Sequence, residues 1–185
     1  MTGTIQIALL RGVMPIGRNR VPMAELRALL TDLGFTDART LVATGNAVFR
    51  SPGPAGAELE ALLEKAIADR IGPTLDVMVR DAAAFARIVR SNRFPEDSAA
   101  MPSRVQATIF KTPPTPDQSR AFEALVHPPE KARVLDDVAW LVHPNGISAS
   151  PLRPTDWKAA FGKLSGTARN WNTLSKVYEA AQALA

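Results

Sequence analysis

The chain has 185 residues, 46% of them hydrophobic and 22% charged, with a formal net charge of +4. These values belong to a globular protein of one sizeable domain or two small ones. The absence of cysteine excludes disulfides, thiolate metal sites and cysteine nucleophiles. No apolar run reaches the roughly 18 residues of a membrane span. The N-terminus has no basic segment followed by a long apolar core, so no signal peptide is expected and a cytoplasmic setting is.

In chain order, Ile5 to Leu10 is a short apolar run and predicts a buried strand. It stops at Arg11-Gly12, and a loop follows that holds Gly12, Pro15, Gly17 and Asn19. Arg11, Arg18 and Arg20 lie in it with no acid between them. Pro22 suits an early helical position, and Met23, Leu26, Leu30 and Leu33 recur at helical spacing before a stop at Gly34. Arg39 to Ala43 and Ala47 to Arg50 predict two strands about a tight Thr44-Gly45-Asn46 turn, with Asn46 supplying a positive φ. Leu59, Leu62, Leu63, Ala66 and Ile67 form a helical stripe ended by Gly72-Pro73, and Leu75 to Val79 reads as a strand.

Asp81 is placed to cap a short helix through about Arg90, after which Ser91 to Ser103 reads as a polar connection. Arg104 to Lys111 alternates as a strand. A proline-rich connector then leads into a helix carrying Phe122, Leu125 and Val126. Arg133 to Leu135 and Val138 to Val142 read as strands about the Asp136-Asp137 turn. Thr155 is expected to cap a helix holding Trp157 and Phe161. Gly162 to Thr167 is too rich in Gly and Ser to assign, and a last helix carries Trp171, Leu174, Tyr178 and Ala181.

The order strand-helix-strand-strand-helix-strand appears once in full and once nearly so. It predicts an α+β fold of two ferredoxin-like halves with antiparallel sheets, residues 1–95 and 104–185. The second half is expected to be irregular and to carry the C-terminal helix.

Charge is segregated along the chain. Residues 11–20 carry a net +3 and residues 153–176 a net +4, so the remainder is slightly acidic. A loop that leaves a strand and enters a helix N-terminus suits an anion, although no P-loop or G-x-G-x-x-G spacing is present. Thr167 to Thr173 adds a guanidinium, two amides, two hydroxyls and an indole. Such groups can position phosphate or a base edge, while the spacing of Trp171, Leu174 and Tyr178 favours packing of the indole. Asn170 or Thr167 is expected to cap the last helix. His127 and His143 have no neighbouring ligand partners, so no metal site, cofactor or catalytic group is assigned.

Several motifs occur together: Ala8-Leu-Leu-Arg-Gly12, Gly17-Arg-Asn19, Met23-Ala-Glu-Leu26, Gly34-Phe35, Gly45-Asn-Ala-Val-Phe49 and Arg169-Asn-Trp-Asn-Thr173. In these the chain resembles the bacterial domain-of-unknown-function family 1697. The resemblance implies two ferredoxin-like halves and no particular reaction. Where the family has Asn-Val-Gly-Gly, this chain has Met14-Pro15-Ile16-Gly17, which implies a different or weaker ligand for the loop.

The expected site residues are Arg11, Gly12, Gly17, Arg18, Asn19, Thr44, Asn46, Arg169, Asn170 and Asn172, with Lys163 adding charge. The first reading is a non-enzymatic binding module for an anionic ligand, nucleic acid or nucleotide. The alternatives are an enzyme acting on a phosphorylated or carboxylated small molecule, and a structural or interaction domain whose C-terminal helix completes a homodimer. No membrane partner is expected.

Overall fold

The computed structural model describes residues 3–185. The chain divides into two compact units. The first runs to Val89 and takes in Ser175–Ala185, and the second is Arg90–Leu174.

In the first unit the elements are β1 (Thr4–Leu10), α1 (Met23–Asp32), β2 (Thr36–Leu41), β3 (Asn46–Ser51), α2 (Gly56–Arg70), β4 (Val77–Asp81) and α3 (Ala82–Arg90). The strands form one antiparallel sheet in the order β2-β3-β1-β4. Side chains alternate across a sheet, so Ala8, Leu10, Ala47, Phe49, Val77 and Val79 share one face. They pack with Leu26, Leu29 and Leu30 of α1 and Leu59, Leu63 and Ile67 of α2 in a single apolar core. Ile7, Leu9, Val48 and Met78 on the opposite face are buried as well. Burial on both faces explains why β1 reads as a continuous apolar run with little alternation.

Helix α1 ends where the sequence predicts. Gly34 takes φ 85°, its N–H donates to Thr31 O, and that of Phe35 donates to Leu30 O, the paired closure that a glycine at this position permits. Asp81 caps α3 by accepting from the Ala84 N–H at 2.6 Å. The outer edge of β4 is blocked from its own side of the sheet. Glu64 Oε1 accepts from Val77 N and Glu60 Oε1 from Val79 N, each at 2.9 Å. One helical turn separates the two carboxylates, which matches the two-residue step between the amides along the outer edge of a strand.

The second unit repeats the plan with α4 (Pro95–Ala100), β5 (Val105–Phe110), α5 (Pro116–Leu125), β6 (Lys131–Leu135), β7 (Val138–Val142), α6 (Pro154–Phe161) and β8 (Gly166–Asn170), before α7 (Trp171–Gln182). Its antiparallel sheet has the order β6-β7-β5-β8, the same connectivity as the first. Phe110, Ala139 and Leu141 on the strands meet Phe122 of α5 and Phe161 of α6. Phe110 and Phe161 stand 4.7 Å apart between ring centroids. Thr115 and Gln118 form a reciprocal capping box at the start of α5.

Local expectations change at several points. β2 runs Thr36–Leu41 and not Arg39 to Ala43, and β4 runs Val77–Asp81 and not Leu75 to Val79. Gly162 to Thr167, left unassigned from its composition, leads into β8, so the second sheet has its fourth strand. Thr155 lies inside α6, and the Arg153 N–H there donates to Asp156 Oδ2 at 2.7 Å. The stretch from Ser91 to Ser103 contains α4. No helix of the described residues is long and apolar enough to cross a membrane.

Glu60 is 4% exposed, so a substitution that removes its acceptor strands a buried donor. Glu60→Leu should cost at least about 2 kcal/mol, because it strands the Val79 N–H and also removes the carboxylate that lies 3.6 Å from the largely buried Arg80 guanidinium. Glu60→Gln keeps the acceptor for Val79 but not the charge opposite Arg80, so it should cost less than Glu60→Leu without being neutral, which urea unfolding of the two variants measures.

Candidate functional site

The loop after β1 is held at its base and open at its tip. Where β1 ends, the Leu10 N–H donates to Gly45 O at 2.8 Å and the Arg11 N–H to Asp76 O at 2.9 Å. Gly12, at φ 71°, then turns the chain away from the sheet. Met14 N–H donates to Asn19 O at 3.0 Å and Arg20 N–H to Gly17 O at 3.2 Å, so residues 14–20 close on themselves. Val13 packs against the core and Val21 is buried, which anchors both ends of the tip. Between them Met14 is 53% and Ile16 78% exposed. A Cβ placed on Gly17 would meet nothing within 4 Å, so there is open space beside the chain at that turn.

The loop between β2 and β3 buttresses this base. Val42 and Gly45 carry its positive φ values, 56° and 79°. Asn46, expected as the positive-φ turn residue, is instead the first residue of β3, opposite Leu9. Its side chain is fully buried and its Nδ2 donates to Leu41 O at 2.8 Å and Thr44 Oγ1 at 3.2 Å, bracing the loop from inside. Gly45 has no room for a side chain, since a Cβ would stand 2.7 Å from Val13 Cγ2 and 2.8 Å from Leu10 Cβ. The structure thus brings Arg11, Gly12, Gly17, Arg18, Asn19, Thr44 and Asn46 to one end of the first sheet.

The three arginines of the loop are not equivalent. Arg11 Nη1 lies 3.3 Å from Asp76 Oδ2, and both side chains are about half exposed, at 52% and 44%. Arg18 and Arg20 are exposed and form no ion pair among the described residues. The sequence shows three cations without an acid; the fold supplies one from Asp76 and leaves two. Helix α1, entered directly from the loop, has no side-chain cap, and Glu25 occupies its first turn. That acid already interacts with the helix dipole, so the arginines are the stronger attraction for an anion.

Arg169, Asn170 and Asn172 belong to the second unit. Arg169 lies in β8 opposite Ala107, is 8% exposed, and donates from Nη1 to Thr167 Oγ1 at 2.7 Å and Ala168 O at 2.8 Å. Burial lowers its pKa from 12.5 to about 10, so the guanidinium is still charged at neutral pH. Asn170 caps α7, its Oδ1 accepting from the Thr173 N–H at 3.0 Å. Asn172 is exposed. The Trp171 ring lies 6.1 Å from that of Trp140, so the indole packs, as its helical spacing predicts.

One polar cluster of the second unit was not read from the sequence. His143 Nδ1 is 2.8 Å from Glu130 Oε1, and Ser150 Oγ donates to Glu130 Oε2 at 3.1 Å. His143 and Glu130 are both buried. The serine is turned to the carboxylate and also accepts from the Leu152 N–H at 3.2 Å, so the imidazole does not activate it as a nucleophile. Glu130 directly precedes β6, His143 directly follows β7 and Ser150 follows the turn after it, and no periodicity links them in the sequence. No cluster of three or more His, Cys, Asp or Glu able to hold a metal occurs among the described residues.

The fold defines an α+β protein of two four-stranded antiparallel units, with an arginine-bearing loop projecting from the first. It belongs to the family described as Protein of unknown function (DUF1697), whose model matches residues 4–140. Those residues include the whole Arg11–Arg20 loop and its Gly45 support; the Arg169–Thr173 segment lies beyond them. The chain is also similar to the conserved bacterial protein SP0830 from Streptococcus pneumoniae. The two are 21% identical, with a TM-score of 0.72 over 96% of this chain and 98% of that one, a likeness of fold. No curated protein matches the chain.

Gly45→Ala adds a methyl group where Leu10 and Val13 already stand and forces alanine to a positive φ. It should destabilise the protein by about 3 kcal/mol, the sum of overpacking and left-handed backbone strain, as measured by thermal or urea unfolding. Gly17→Ala meets no neighbour and should cost only the strain.

Proposed function

We propose that this protein is a binding module for an anionic ligand, that the Arg11–Arg20 loop makes the contact, and that the ligand is nucleic acid. The observation that carries this reading is the state of Arg18 and Arg20, which are exposed and unmatched by acids while Arg11 is answered by Asp76. An unmatched guanidinium is the residue type best suited to phosphate, since its planar fork offers paired donors to two oxygens. The base of the loop is fixed by Gly45 and Asn46, so little order is lost there on binding.

Shape favours a polymer over a free nucleotide. Small-molecule sites are concave and enclose most of their ligand. The tip, by contrast, is exposed along residues 14–20, with open space beside Gly17, and suits a surface as extended as a phosphate backbone. Thr44 and Asn46 act in this reading as supports of the loop.

Phosphate contacts release counterions, so affinity should fall with salt. For a short duplex, Arg18→Ala combined with Arg20→Ala should reduce the slope of log affinity against log salt by about 2 relative to the wild type. Fluorescence anisotropy at several salt concentrations measures this. An unchanged slope would remove both arginines from the contact.

A further inference from the structure

The tip of the Arg11–Arg20 loop combines two kinds of side chain. Ile16, at 78%, is the most exposed of the large apolar residues, and Met14, two positions away, is 53% exposed. A single exposed apolar residue is ordinary. Here two of them flank Pro15 at one turn, next to Arg18, Asn19 and Arg20. The turn is closed by the Met14–Asn19 and Gly17–Arg20 backbone hydrogen bonds, and the valines on either side are packed inward. The apolar tip is therefore presented outward by an anchored loop.

We propose that Ile16, with Met14 beside it, is a wedge that enters a base step of duplex DNA and bends the duplex while Arg18 and Arg20 hold the neighbouring phosphates. This rests on the reading of the loop as an anion-binding element. Proteins that bend DNA from the minor groove join arginine or asparagine contacts to an inserted apolar side chain, and isoleucine, methionine and proline are among those used. One or two side chains are enough to part a base step. They are not enough for a bilayer, because together they carry fewer carbons than one myristoyl chain, which by itself gives only marginal membrane binding. Nor does a tip of this size offer the roughly 1,000 Å² that a stable protein interface buries. The unmatched arginines supply the charge complementarity for the phosphates on either side.

The test uses the full chain, an end-labelled duplex of about 30 base pairs, short enough that a local bend changes the end-to-end distance, and energy transfer between the labels. Wild type should raise the transfer on binding. Ile16→Ser, at a site exposed enough to leave the unfolding midpoint unchanged, should bind with the same salt slope and leave the duplex straight. Arg18→Ala with Arg20→Ala should reduce the salt slope by about 2, whether or not Ile16 is present. If wild type binds without bending, or Ile16→Ser bends as wild type does, the wedge is wrong and the phosphate reading stands. Binding to the single strand alone would have the same consequence. If wild type fails to bind duplex and single strand even at low salt, both readings fall. Ile16-dependent sedimentation with phosphatidylserine–phosphatidylcholine vesicles and no duplex binding would assign the tip to a membrane surface and overturn the proposal.

Discussion

The hydrogen bond from the Leu10 N–H to Gly45 O, made over a position with no side chain, sets the geometry on which the candidate site depends. It joins the end of β1 to the loop before β3. Because Gly45 lacks a Cβ, Leu10 and Val13 can close over it. Asn46 ties the same loop from beneath through Leu41 O and Thr44 Oγ1. The result is a loop whose first residues are as fixed as the sheet and whose tip is exposed. A contact element of that kind loses little conformational entropy at its base when a partner arrives, and the exposed tip is left to adapt.

The first unit closes one of its two sheet edges. A bare strand edge is a template for another chain, but β4 has Glu60 and Glu64 of α2 on its amides. The second unit uses the same device on β6, where Glu123 of α5 accepts from the Val134 N–H at 2.6 Å. In each unit one sheet face is covered by two helices, and on the inner strands the residues of the other face, such as Ile7, Leu9, Val48, Ala107 and Trp140, are buried too. Loops are what such a fold leaves for recognition, and the Arg11–Arg20 loop joins two exposed apolar side chains, Met14 and Ile16, to the exposed arginines Arg18 and Arg20.

Much of the fold was legible because local signals agreed with it. The β1 run, the α1 stripe with its Gly34 closure, the Asp81 cap and the paired β6–β7 strands all carry their chemistry within a few residues. β8 was not legible, since Gly166, Ala168 and Asn170 have little strand character of their own and take their conformation from pairing with β5. For the site, the basic loop and its glycines could be read, but the pairing of Arg11 with Asp76 spans 65 positions and no sequence pattern announces it. Asn46 looked like a turn residue because asparagine tolerates positive φ; the fold gives that conformation to Val42 and Gly45 and buries the amide as a brace. The Glu130–His143–Ser150 cluster was hidden for the same reason as Asp76, being assembled by the sheet and not by spacing.

Backbone amide resonances recorded during titration with a short duplex test most directly whether this molecule meets its partner through the tip of one loop, because they report every residue at once. The largest shifts should fall on residues 14–20, with smaller ones on residues 42–46 behind them. Shifts that leave residues 14–20 unmoved and gather instead on β8 and the start of α7 would contradict it, and would transfer the contact to Lys163 and the Arg169–Asn172 segment.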